Sequence, residues 1–138
     1  MHYFKNLILQ LVLVLSFVMT VSDCYADSQF IEVIAGDEQA LIAAIIKANS
    51  HDGTYDIKIK DNPDGNNEFV FTQPYENSQN ALPVITGSYL ITTEVKVAFR
   101  RAEDASFEFR FIEITSSNLV FVGGIIRDFS VSGNGGVL

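Results

Sequence analysis

Tryptophan is absent from this chain and cysteine occurs once, at Cys24. Sugar-binding platforms favour Trp and Tyr, whereas the aromatic residues here are eleven Phe against five Tyr, a set suited to packing inside a core. A single cysteine excludes an internal disulfide and a multi-cysteine metal site. No Gly-x-Ser-x-Gly elbow is present, so a serine hydrolase of that kind has no signature. The glycine-rich tail lacks the Lys-Ser/Thr of a phosphate-binding loop. Asn49-Ser50-His51 and Asn77-Ser78-Gln79 both fail as glycosylation sequons at the third position. Basic residues are scarce, nine against seventeen acidic, and the net charge of −8 argues against a nucleic-acid partner. What is present is a globular composition: 48% hydrophobic, 19% charged and only three prolines in 138 residues, room for one domain.

Met1 to Ala26 has the three parts of a secretory leader. Lys5 and the α-amino group supply the positive end, Leu7 to Val18 is apolar apart from Gln10 and Ser16, and Cys24-Tyr25-Ala26 ends in a cleavage-compatible pattern. Cleavage there starts the mature chain at Asp27 and removes the only thiol. The apolar run is shorter than the ~20 residues a spanning helix needs, which disfavours an uncleaved anchor. Asp23 stands before Cys24 where lipid attachment calls for a small residue. These residues predict an exported bacterial protein of the periplasm, cell surface or medium, with no membrane span after cleavage.

The mature region opens with a short strand, Phe30 to Ile34, then a break at Ala35-Gly36-Asp37. Asp37 is a helix N-cap, Glu38 suits the positive pole and Lys47 the negative one, so a helix is expected over about 37–49. Its apolar arc of Ala40, Leu41, Ala43, Ala44, Ile45, Ile46 and Ala48 is wide enough for burial on more than one seam. After Ser50 the pattern is short strands and turns: Tyr55 to Lys60, Phe69 to Thr72, Tyr89 to Thr92, Val95 to Phe99, Phe107 to Ile114, Leu119 to Val122 and Ile125 to Val131. A β-sandwich and a parallel solenoid both accommodate such strands. Val97-Ala98-Phe99 and Val120-Phe121-Val122 lie 23 residues apart, one solenoid turn.

Several stretches resemble a known family. Glu38 to Asn49, Gly53 and Asp56-Ile57-Lys58-Ile59 resemble the amino-terminal cap and first strand of secreted right-handed parallel β-helix proteins with a pectin-lyase-like fold. Ala81-Leu82-Pro83-Val84-Ile85 is similar to their Leu-Pro step. Phe109 to Ile114 and Asn118 to Phe129 resemble successive coils, and Gly133 to Leu138 the start of another. Bacterial polymorphic outer-membrane and anchored β-helix surface proteins share these features. Where many relatives carry Cys-Ser-Leu-Arg-Glu-Ala on the cap helix, this chain has Gln39 to Ala44, keeping the apolar positions alone. The resemblance implies an all-β fold, the start of a right-handed parallel β-helix with one capping α-helix, occupying 27–138 with coils from about residue 55. It also implies a truncated chain, because such helices continue for many coils and this one stops at Leu138 in a strand-like run.

Enzymes of that family hold calcium with outer-face carboxylates. Asp61, Asp64 and Glu68 are the local carboxylate group that could serve as a metal site, but their spacing departs from the calcium-loop pattern and turn formation alone accounts for Asn62-Pro63-Asp64-Gly65. Arg100, Arg101, Glu103 and Asp104 read as a solvated loop, and Arg110 and Arg127 as outward residues for Glu113 or Asp128 to pair with. His51-Asp52-Gly53 reads as a helix-ending turn rather than part of a triad. No catalytic or cofactor-binding residue is therefore assigned. The expected function is a non-catalytic exported segment with a structural, adhesive or partner-binding role toward surface carbohydrate or protein. Self-association through an uncapped carboxy-terminal end is a further expectation. The alternative is a polysaccharide lyase or hydrolase of the pectin-lyase-like fold.

Overall fold

A computed structural model describes residues 29–76, 78–115 and 118–130. The leader with Cys24, the cleavage site before Asp27, the turn positions Ser116 and Ser117, Val131 and the tail Gly133 to Leu138 lie outside the described residues.

The elements run β1 (Gln29–Ile34), α1 (Glu38–Asn49), β2 (Thr54–Lys60), β3 (Glu68–Phe71), β4 (Ser88–Thr93), β5 (Ala98–Arg101), β6 (Leu119–Val122) and β7 (Ile125–Arg127). They form a four-stranded sheet in the order β1-β2-β4-β6 and a three-stranded sheet in the order β3-β5-β7. Every pairing is parallel.

This corrects the expected all-β, right-handed parallel β-helix. The described residues make two separate parallel sheets with one helix, and the helix is part of the core. It connects two paired parallel strands, β1 and β2, and packs on β1, β3 and β4. Alternation along a strand reports which side chains are buried and is silent on which strand lies beside it. That is why seven of the eight expected strands overlap observed ones while their division into two sheets was not legible.

Helix α1 starts where expected: Asp37 Oδ1 accepts from the Ala40 amide at 2.9 Å. Glu38 lies in its first turn and Lys47 in its last. The buried residues are Leu41, Ala44, Ile45 and Ala48, spaced as one helical face. Ile46 is 44% exposed, so the buried arc is narrower than the composition suggested.

Alternate residues of each strand enter the core. In the larger sheet Tyr55, Tyr89 and Leu119 stand in one row, and Ile31, Ile57, Ile91 and Phe121 in the next. In the smaller sheet Phe69, Phe99 and Ile126 align, and the Phe69 and Phe99 rings stack with centroids 5.0 Å apart. Such a pair contributes roughly 0.5–1.5 kcal/mol beyond the burial of its area. Phe71, Phe109, Phe111, Phe121 and Phe129 continue the aromatic contacts.

The stretch Phe107 to Ile114 forms no strand. It makes two isolated parallel bridges, Asn80 with Arg110 and Ile85 with Ile114. Phe111 and Ile112 are both buried though adjacent, which a pleated strand beside a single core cannot arrange, and the chain bends there. The expected strand at Val95 to Phe99 is displaced to Ala98–Arg101.

Candidate functional site

The three carboxylates considered for a metal do not meet. Asp61 Oδ1 accepts from Asn67 Nδ2 at 2.8 Å. Asp64 sits in a turn whose amide donates to Asn62 Oδ1 at 2.9 Å, and Asn62 in turn ties the loop to the Ala35 carbonyl. Glu68 is on β3 and is occupied by two arginines, taking Arg100 Nε at 3.2 Å on one oxygen and Arg127 Nη2 on the other. Among the described residues no group of three His, Cys, Asp or Glu side chains is placed to hold a metal ion.

Arg100 and Arg127 are register partners on β5 and β7. Two like charges side by side on a sheet repel, and Glu68 offsets that repulsion with one carboxylate. Arg127 was expected to pair with Asp128. It pairs with Glu68 instead, because Asp128 leaves the strand at φ +67°. Arg110 does meet Glu113, at 3.8 Å, and also reaches Gln79 Oε1 at 3.3 Å. Arg101 is a tie between segments, donating to the carbonyls of Asp128 and Phe107. Glu103 and Asp104 are exposed in a turn, and His51 follows the helix with its amide on the Ala48 carbonyl and its ring edge-on to Tyr55 at 5.3 Å.

A hollow of about 210 Å³ lies between the start of α1 and the segment after β3, lined in part by Glu38, Ile42, Phe71, Tyr75 and Glu76. Burial raises the Glu38 carboxyl above its usual range, and a hydrogen bond with Glu76 raises the Tyr75 phenol. No basic residue lines this hollow to draw an anion in.

The most unusual surface is elsewhere. Among the described residues eight large hydrophobic side chains are exposed, and five of them fall between residues 107 and 125: Phe107 (65%), Ile114 (42%), Val120 (54%), Val122 (52%) and Ile125 (41%). Soluble chains scatter single exposed apolar residues freely, whereas Val120 and Val122 stand together on one face of one strand. Strands β6 and β7 are the last in their sheets among the described residues. On β6, Val120 and Val122 face outward, and the inward Leu119 and Phe121 are only half-buried, where the equivalent Tyr89 and Ile91 on β4 are fully buried.

Gly123 and Gly124 hold the two edge strands in this relation. Both have positive φ, +86° and +84°. A Cβ on Gly123 would stand 2.2 Å from Thr93 Oγ1, and one on Gly124 would press on the Phe99 and Phe121 rings at 2.9 and 3.0 Å. The sequence marks this pair as a turn and predicts an open carboxy-terminal end, without singling out β6 as the strand that forms it. The available signal was Leu119-Val120-Phe121-Val122 itself, four apolar residues with no polar alternation, which leaves apolar groups on both faces of a strand.

Among the described residues no helix is long and apolar enough to cross a membrane. Comparison of the chain with protein-family models, curated proteins and solved structures yields no match, so the resemblance noted in the sequence receives no support from a relative.

Proposed function

We propose that this chain is an exported, non-catalytic module that acts by holding a protein partner at its β6–β7 edge. The observation that carries this reading is that Val120 and Val122 stand exposed on one face of β6, the last strand of its sheet among the described residues, in a stretch of sequence that also exposes Phe107, Ile114 and Ile125. Edge strands offer unspent backbone N–H and C=O groups, and strand addition combines those hydrogen bonds with burial of alternate side chains. Full burial of a Val or Ile contributes about 1.5–3 kcal/mol by transfer free energy; these side chains are already near half-buried, so covering the remainder contributes about half of that, part of which is spent on ordering the partner. Export is supported by the leader-like composition of Met1 to Ala26.

The test has two arms. Expressed with its own leader, the chain is expected in the envelope or medium fraction, and chemical cross-linking there is expected to join it to a protein partner, a product that Val120→Lys with Val122→Lys abolishes. Incubated with pectate, alginate or chondroitin, with and without calcium, the exported protein is expected to release no unsaturated sugar. Cross-linking of the doubly substituted chain as efficient as that of the parent, or sugar release by the parent chain, overturns the proposal.

A further inference from the structure

The chemistry of the edge narrows the choice of partner, given the reading of β6–β7 as a binding surface. We propose that the partner is a second copy of this chain, with β6 pairing antiparallel to β6 of the copy about a two-fold axis. Three observations converge on self-pairing.

The edge is electrically neutral on a chain of net charge −8. Leu119–Val122 carries no charged residue and no proline, the usual guards of an exposed edge. On β7 the one charged side chain is Arg127, already paired with Glu68. Apposing two copies here therefore sets no like charges against each other, which almost any other face of so acidic a chain would do.

The opposite end of the sheets is unlike this one. Helix α1 packs on β1 and β3, the edge strands at that end, and β1 carries Glu32 within 3.2 Å of Lys60. Head-to-tail stacking would set an uncharged apolar edge against a helix-covered, charged one. Like-to-like contact avoids that mismatch and closes as a dimer.

Finally, β6 offers apolar groups on both faces, Val120 and Val122 outward and Leu119 and Phe121 inward. A strand laid beside it shields both rows at once, which a partner touching one face does not.

Sedimentation equilibrium of the exported, full-length-expressed protein is the test, read across parent, Val120→Lys/Val122→Lys and Val120→Glu/Val122→Glu chains. Because both valines are half-exposed, the substitutions leave the core intact. The parent is expected at twice the chain mass, and each charged variant alone is expected to dissociate at least about tenfold more readily, since like charges then face each other across the axis. Mixed in equal amounts, the lysine and glutamate variants are expected to recover the dimer. A monomeric parent at millimolar concentration, a dimer indifferent to the substitutions, or no recovery on mixing overturns self-pairing. The broader reading fails separately, if the lysine variant is cross-linked to a protein partner as efficiently as the parent, whereas a monomeric parent that still loses a cross-linked partner on substitution overturns self-pairing alone.

Discussion

The Tyr89 hydroxyl on β4 donates to the side-chain oxygen of Asn49, the last residue of α1. The same Asn49 oxygen accepts from the Thr86 amide and hydroxyl, each at 2.9 Å, and its Nδ2 donates to the Val84 carbonyl at 2.9 Å. One side chain thus fastens the helix to the segment that leads into β4. Asn49→Ala removes a donor and a shared acceptor together, leaving the buried Tyr89 hydroxyl and the Thr86 amide to find other partners. The expected cost is about 2–3 kcal/mol in urea unfolding, with Asn49→Asp, which keeps the acceptor, costing less.

Tyr89 also sets a pH dependence. The residue is 2% exposed, and burial pushes its phenol from the ordinary 10.0 up to about 12. Folding favours the protonated phenol, so its contribution to stability is complete below pH 10 and is lost as pH rises through about 12. The difference in unfolding free energy between the parent chain and Tyr89→Phe should be constant up to pH 10 and shrink or reverse above it.

Gly123→Ala is expected to destabilise by about 2 kcal/mol or more, from a positive φ combined with a steric conflict at Thr93. Gly65→Ala is the control: φ is +76°, but nothing lies within 4 Å of an added Cβ, so a loss of about 1 kcal/mol from the backbone alone is expected. Thermal unfolding of the two variants separates the contributions.

Glu68→Gln leaves Arg100 and Arg127 adjacent without their shared carboxylate. All three groups are partly solvated, so the expected loss is about 1 kcal/mol at low ionic strength and smaller in high salt, where the repulsion is screened. Unfolding in low and high sodium chloride measures both.

Calcium should leave the melting temperature unchanged. Asp61 is engaged by Asn67 and Glu68 by two arginines, so the pair does not form the oxygen-rich cage that a hard cation requires. Thermal scans with millimolar calcium and with chelator check this.

Local chemistry was the legible part of this chain. Asp37 as N-cap, Lys47 at the helix end and the strands around Ile57, Ile91 and Phe121 follow from capping and alternation, which act within a few residues. Pairing acts over distance: Glu68 and Arg127 lie 59 positions apart, and nothing near either one specifies the other. Asn49 looked like an ordinary helix-terminal residue because its partners Val84, Thr86 and Tyr89 are 35 to 40 residues away. Phe107 to Ile114 was misread because its aromatic residues suit a strand, while burial of both Phe111 and Ile112 requires a bend. The edge at β6 was present as an apolar run, but its exposure depends on what lies beside it in space.

Amide hydrogen exchange on the purified exported protein, at a dilution where it is monomeric, shows whether β6 is an open edge. The expected result is rapid exchange at β6 amides that point away from β4, beside slow exchange at the interior strand β2, between β1 and β4. Protection along the whole of β6 equal to that of β2 would mean the edge is already covered within one chain, and would contradict a partner-binding role.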